Sequence, residues 1–253
     1  MINIDTSDAL ATLLSDYEVE VAETGTQRQE AYRLRYQVFC LERGILPVPQ
    51  GHQAEIDAYD AQAWHILLRR RRDGRAIGTA RVVPARPGRG RRDLPLEKYC
   101  NSGILHALPE FGLGEISRFA LSIERRQAGA PGDSLLRLAL MQGVLQLSLE
   151  CGLTDWCALM EPRLIRLMQT TGVRFTALGP LVDACGLRQP CTARISNVLD
   201  MGQAERPDYF HYVAQTTRDA LASPAEPAAE RAPGRVSVTP ARLRQPDEDR
   251  RAA

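Results

Sequence analysis

The stretch Gly114-Glu115-Ile116-Ser117-Arg118-Phe119-Ala120-Leu121-Ser122 reads as a β-strand whose charges do not suit a regular one. Residues three apart in a regular strand face opposite sides of the sheet, so Glu115 and Arg118 would point apart. For both to line one site, a β-bulge must lie between them. The expectation is therefore an irregularity at 116–119. Residues 124–133 follow as a Gly-rich basic loop, and then a mostly apolar helix runs from Ser134 to Cys151 and is ended by Gly152. Loop N–H groups and a helix N-terminus together favour anions, so this strand–loop–helix order suits phosphate or pyrophosphate, although an ordinary turn has the same pattern.

Working outward, Trp64–Arg70 reads as a strand, Asp73-Gly74 as a hairpin turn and Ala76–Val83 as the returning strand. The returning strand carries Arg81. A charge inside a β-patterned segment is costly unless it is paired. Partners are at hand in Glu55-Ile56-Asp57-Ala58-Tyr59-Asp60, which has three carboxylates and no positive charge. A helix is expected from Thr26, with Thr26-x-x-Gln29 as a capping box, to about Glu42, stopping at Gly44. Tyr32, Arg35, Tyr36 and Phe39 share one face of it, and Arg35 on that aromatic stripe also calls for a partner. Residues 44–63 read as loop, with a short helical piece near Leu94–Tyr99. Downstream come a buried strand at Asp155–Met160, a helix from Pro162 ending before Gly172, and late strands at Phe175–Leu178 and Cys191–Leu199. The fold class is α/β (α+β).

The 253 residues suit one large domain with tails, and 44% apolar content is enough for a core. Residues 1–22 read as a lead-in, 23–218 as the domain and 219–253 as a disordered Pro/Ala/Arg-rich tail. A net charge of +1 gives no global field for nucleic acid. Two local basic blocks stand out, Arg69–Arg72 and Arg86, Arg89, Arg91 and Arg92, either solvated loops or a dock for an acidic partner. None of the six cysteines forms a C-x-x-C pair, so no metal site is expected. The opening Met1-Ile2-Asn3-Ile4-Asp5 lacks the features of a secretory signal, and no run spans a bilayer. The expectation is a cytoplasmic chain with free thiols. His65, on the first hairpin strand, reads as structural.

The order Arg35-x-x-x-Phe39, Glu55-x-Asp57-x-x-Asp60, Arg81, Glu115-x-x-Arg118 resembles the signature of the acyl-homoserine lactone synthases over roughly residues 20–200. That resemblance implies a GNAT-like acyltransferase fold: a mixed central sheet flanked by helices, with a β-bulge in the fourth strand. Where the lactone synthases carry a tryptophan between Phe39 and Glu55, this chain has Gly44-Ile45-Leu46-Pro47-Val48-Pro49. The segments Tyr32–Cys40 and Glu115–Ala120 look more like the acyltransferases of PEP-CTERM/exosortase systems, a sister group alongside the N-acyl amino acid synthases. The loop Arg126-x-x-Gly129 is followed by Pro131 where the GNAT pattern has Gly or Ala.

The resemblance implies transfer of a fatty acyl chain from a thioester, acyl carrier protein or coenzyme A, to an amine such as an amino acid or amino sugar, with no permanently bound cofactor. Glu55, Asp57, Asp60 and Glu115 would be catalytic, with Glu55 or Glu115 accepting the amine proton. Arg35, Phe39, Arg81, Arg118 and Phe119 would bind substrate. Ala120, Leu121, Arg125, Arg126 and Gly129 would bind the donor, and backbone N–H groups near Phe119–Leu121 would face the oxyanion. The pantetheine arm would lie between splayed strands Glu115–Ser122 and Asp155–Met160. Phe39, Phe119, Leu121, Trp156 and Leu159 would line the acyl path. The alternatives are a lactone synthase using S-adenosylmethionine, a non-catalytic acyl-carrier or lipid-binding module, and transfer onto a protein terminus.

Overall fold

A computed structural model describes residues 15–86, 92–125, 132–207 and 210, Arg125 by its backbone alone. The expected tail at 219–253 and loop residues Arg126 and Gly129 lie outside the described residues, as do Arg89 and Arg91 of the second basic block.

The lead-in becomes strand β1 (Tyr17–Val21), which pairs antiparallel with β2 (Trp64–Arg70). Helix α1 (Gly25–Arg35) starts two residues before the expected position. Its capping box is formed by Thr24 and Gln27: the Thr24 hydroxyl accepts from the Gln27 N–H at 3.2 Å, and Gln27 Oε1 accepts from the Thr24 N–H at 2.9 Å. Thr24 and Thr26 both have glutamine three residues on. The choice falls to Thr24 because Gln27 Oε1 also takes the Glu23 N–H where the chain leaves the sheet. Thr24→Ala is expected to cost about 1 kcal/mol in chemical denaturation, with Thr26→Ala near neutral.

Beyond Arg35 the helix widens into a π-helical segment, Tyr36–Glu42. Such widening is frequent at functional sites. Strand β3 (Arg75–Pro84) returns from β2 across the expected hairpin, and helix α2 (Ser102–His106) follows a short 3₁₀ turn at Pro95–Lys98. Strand β4 (Leu113–Leu121) pairs antiparallel with β3. Helix α3 (Asp133–Glu150) then leads into β5 (Asp155–Met160), parallel to β4. After helix α4 (Pro162–Thr170) come β6 (Thr176–Ala177), β7 (Val182–Asp183), β8 (Leu187–Arg194) and helix α5 (Ile195–Glu205). The expected strand at Cys191–Leu199 is thus corrected. The strand stops at Arg194, and Ile195 and Val198 are buried from a helix at i, i+3 spacing.

The sheet runs β1-β2-β3-β4-β5-β8-β6, with β7 on β8, antiparallel except at β4–β5. Its two faces bury different sets. One packs Ile66, Leu68, Ile77 and Val82 against the apolar side of α3. Gly143 lets α3 approach closely, since a Cβ there would collide with Val19 and Ile66. On the other face Val83, Leu113 and Cys157 pack against Tyr59, Leu94 and Leu96. No described helix is long and apolar enough to cross a membrane.

The first basic block proves to be largely internally paired. Arg69 bonds Glu20 and Glu30, Arg70 bonds Asp73, and Arg71 bonds Glu18. Arg69 and Arg71 thus bond carboxylates of β1 and α1, and Arg70 bonds one in its own hairpin turn, so Arg69–Arg71 are not a free basic surface. In the second block, Arg92 donates to the carbonyls of Leu108 and Pro109.

Candidate active site

Strand β4 carries the expected bulge. Thr79 pairs with Ala120 and Arg81 with Ser117, so Ala80 alone opposes Arg118 and Phe119. Arg118 takes up the extra residue at φ 51°, a left-handed conformation that a non-glycine residue adopts only when its surroundings hold it there. The guanidinium supplies that hold.

Its Nε and Nη2 donate to the two oxygens of Glu55 at 3.0 and 2.8 Å, and Nη2 also reaches Asp57 at 3.1 Å. Arg35, from the end of α1, donates from Nε to Glu55 at 2.5 Å and from Nη1 and Nη2 to the two oxygens of Asp60 at 2.7 and 2.9 Å. Arg81, from β3, donates from Nη1 to Asp57 at 2.6 Å and Asp60 at 2.8 Å, and from Nε to the Ser117 hydroxyl at 3.0 Å. Three arginines from three elements therefore hold the three carboxylates of one loop. Asp57 folds that loop further by accepting from the Tyr59 N–H, while Asp60 accepts from the Asp57 N–H.

Burial alone would raise the pKa of each carboxyl, but the arginines outweigh it. Glu55 is held below its usual range by Arg118 and Arg35, and Asp57 by Arg81 and Arg118. Asp60, gripped by Arg35 and Arg81, is lowered furthest. All three are firmly ionised at neutral pH and are poor proton acceptors.

Glu115 stands apart. It is 2% exposed, and its Oε2 accepts from the Leu96 N–H at 2.8 Å. Burial pushes its pKa up to about 8, against the pull of that N–H and of Arg81 and Arg118. It also occupies the last rung at which β4 and β5 are paired, opposite Cys157; beyond it the ladder stops. The strands part there, and a cavity of about 770 Å³ opens.

The cavity wall brings together Glu115, Ser117, Arg118 and Phe119 through Leu121 from β4 with Phe39, Ile45 and Leu46 from the π-helical segment and its loop. Leu159, Leu164 and Leu167 add apolar surface from β5 and α4. Thus Glu115, Arg118, Phe39, Phe119, Ala120 and Leu121 meet in one cleft. Glu55, Asp57, Asp60, Arg35 and Arg81 form the layer behind Arg118, Asp57 being its most open carboxylate with a 25% exposed side chain. Trp156 does not line the cleft: it is buried, stacked on Phe175, and donates to Ser148 Oγ at 2.9 Å. Strand alternation turns it to the opposite face from Cys157.

Two contributors had no local signal in the sequence. Ser117 orients Arg81, and the Leu96 N–H holds Glu115 from a 3₁₀ turn distant in sequence. His65 is buried 3.7 Å from Asp60, beyond hydrogen-bond length, and burial beside Arg35 lowers its pKa to about 4, so it stays neutral. The thiols of Cys100 and Cys157 are pushed up by burial and then by Glu115, which suits inert core rather than nucleophiles. Among the described residues no group of His, Cys, Asp and Glu is placed to hold a metal.

Residues 34–132 match the model of the acetyltransferase (GNAT) domain. No curated protein matches the chain by sequence. Among solved structures, the acyl-homoserine lactone (AHL) synthase LasI is 24% identical, superposing over 70% of this chain and 88% of its own with a TM-score of 0.55. The CoA-dependent acyl-homoserine lactone synthase BjaI, solved with SAM and isopentyl-CoA, is 20% identical over 79% of this chain and 99% of its own, TM-score 0.55. FeeM, an N-acyl amino acid synthase from uncultured soil microbes, is 19% identical over 75% and 96%, TM-score 0.53. The fold is GNAT-like, with the mixed sheet, flanking helices and bulged fourth strand expected from the sequence.

Proposed function

We propose that the chain moves a fatty acyl chain from a thioester to the nitrogen of a small amine, with Glu115 as the proton acceptor. The observation that carries this reading is the placement of Glu115 at the point where β4 and β5 part. A carboxyl with a pKa near 8 is matched to taking a proton at neutral to mildly alkaline pH, whereas the arginine-bound Glu55 is not. The neutral amine attacks the thioester carbonyl, its N–H proton passes to the Glu115 carboxylate, and the C–S bond breaks. The departing thiolate recovers the proton. The products are one amide and one free thiol.

Backbone N–H groups near Phe119–Leu121 are proposed to face the oxyanion, since this stretch of β4 lines the cleft beside Glu115. Arg118 faces the substrate, with a quarter of its side chain exposed. Glu55, Asp57 and Asp60 act as positioning residues, with Arg35 and Arg81 holding them from behind. The donor arm lies between β4 and β5 and carries its acyl chain over Phe39, Leu159 and Leu164. Acyl carrier protein and coenzyme A share that arm. The roles of Arg125, Arg126 and Gly129 toward its phosphate, the domain bounds 23–218 and the cytoplasmic setting belong to the same proposal. The likeness of Tyr32–Cys40 and Glu115–Ala120 to PEP-CTERM/exosortase acyltransferases supports a role in such a system.

Asp57→Asn separates chemistry from scaffold. Asp57 is partly open and its arginine partners keep Glu55 and Asp60, so the variant is expected to fold with a near-native melting temperature. Misplacing Arg118 should slow thiol release from acyl thioester plus amine by about 10²-fold. Native turnover in a folded variant would remove Asp57 from the mechanism.

A further inference from the structure

A second pocket, about 40 Å³, lies between α3, α5 and the turn after α4. Leu138, Leu145, Val173, Val198 and Phe210 give it apolar walls, and Gly172 and Gly202 keep its rim narrow. One residue borders both this pocket and the cleft: Met141, on α3 and almost fully buried. On the cleft side Met141 is joined in the lining by Leu164, Leu167 and Met168 of α4.

We infer that Met141 is the partition that sets how long an acyl chain the cleft accepts, and that the second pocket is a reserve into which longer chains extend when Met141 moves. Three features support this. Methionine is unbranched and flexible, so its side chain can change rotamer without backbone movement. The lining of the pocket is mostly apolar, which favours an apolar group there. Met141 is the side chain that the linings of the pocket and the cleft share. The ligand class this implies is a straight acyl chain, because the space Met141 would vacate is that of an unbranched side chain and the pocket beyond it is only about 40 Å³. This inference rests on the acyl-thioester reading of the cleft.

The test uses unreactive S-alkyl thioethers of 4′-phosphopantetheine, from hexyl to hexadecyl, titrated calorimetrically into the full chain, wild type and variants. In the wild type, affinity should rise with chain length and then level off where the chain meets Met141. In Met141→Ala the rise should continue for one or two further carbons, at about fourfold per methylene, and in Met141→Phe the plateau should come earlier. Filling the pocket from its far wall, as in Met141→Ala/Val198→Phe, should restore the wild-type plateau. Because the phenylalanine variant moves in the opposite direction to Met141→Ala and the double variant cancels its shift, a general loss of stability would not reproduce the pattern. Identical plateaus in all four proteins would overturn the partition while leaving the acyl-thioester reading intact. Failure of every thioether to bind would overturn both.

Discussion

Glu115→Gln is expected to remove most turnover and, at alkaline pH, to make the protein harder to unfold. The two effects come from one property. Glutamine keeps the shape of the side chain and an oxygen for the Leu96 N–H, but it cannot take a proton. Loss of a positioned general base typically costs about 10²–10⁴-fold in rate.

The stability effect follows from linkage. Glu115 titrates at about 8 in the folded chain and near the ordinary 4.5 when unfolded. Between those values the folded state holds a proton that the unfolded state has released, so wild-type stability falls as pH rises through this window and levels off above about 8. The variant lacks that penalty and should gain on the order of a few kcal/mol at pH 8 to 9, with the gap closing below about pH 4.5. Urea denaturation at pH 5 and pH 8.5 reads this directly. The wild-type rate should rise with pH, reach half its maximum near pH 8 and level off above it, as the carboxylate form accumulates. A variant that is inactive and also less stable at pH 8.5 would mean that Glu115 is structural.

The second large effect is expected at Arg35. Its guanidinium is fully buried, and each nitrogen faces Glu55 or Asp60. Arg35→Met keeps much of the side-chain bulk but takes a buried positive charge away from two ionised carboxylates, leaving Glu55 to Arg118 alone and Asp60 to Arg81 and the Asp57 N–H. Removing one partner of a buried pair costs about 3–5 kcal/mol. For a domain of this size that is a fall of roughly 6–20 °C in melting temperature. Arg118→Met removes the same number of charges from a site that water reaches, so its cost in stability should be smaller while turnover falls as far or further. Equal melting temperatures for the two variants would show that the arginine–carboxylate layer does not organise the loop.

These two residues also show what was legible in the sequence. Arg35 and Arg81 stood out because an arginine on an aromatic helix face and another in an apolar strand are costly without partners, and the three carboxylates of 55–60 were the available ones. Glu115 and Arg118 stood out because their spacing contradicted strand alternation, and the bulge resolves that conflict. The division of labour between Glu55 and Glu115 was not legible. It depends on which carboxyl faces arginines and which is buried against a distant backbone N–H, and neither is a local property. The pairing of Arg69 and Arg71 was not legible for the same reason, since their partners Glu18, Glu20 and Glu30 come from β1 and α1. Trp156 was one residue out of phase with the cleft. The short apolar run at Ile195–Leu199 suits strand or helix equally well until its packing is known.

The most direct test of the account is the product itself. The full chain would be incubated with long-chain acyl carrier protein, and separately with long-chain acyl-CoA, in the presence of a pool of amino acids, amino sugars and S-adenosylmethionine. Mass spectrometry would follow the mixture at pH 8, with Glu115→Gln as the control. The account predicts a new N-acyl amide and an equal amount of free thiol from the wild type, and neither from the variant. Thioester binding without any amide from either donor, or equal product from Glu115→Gln, would contradict it.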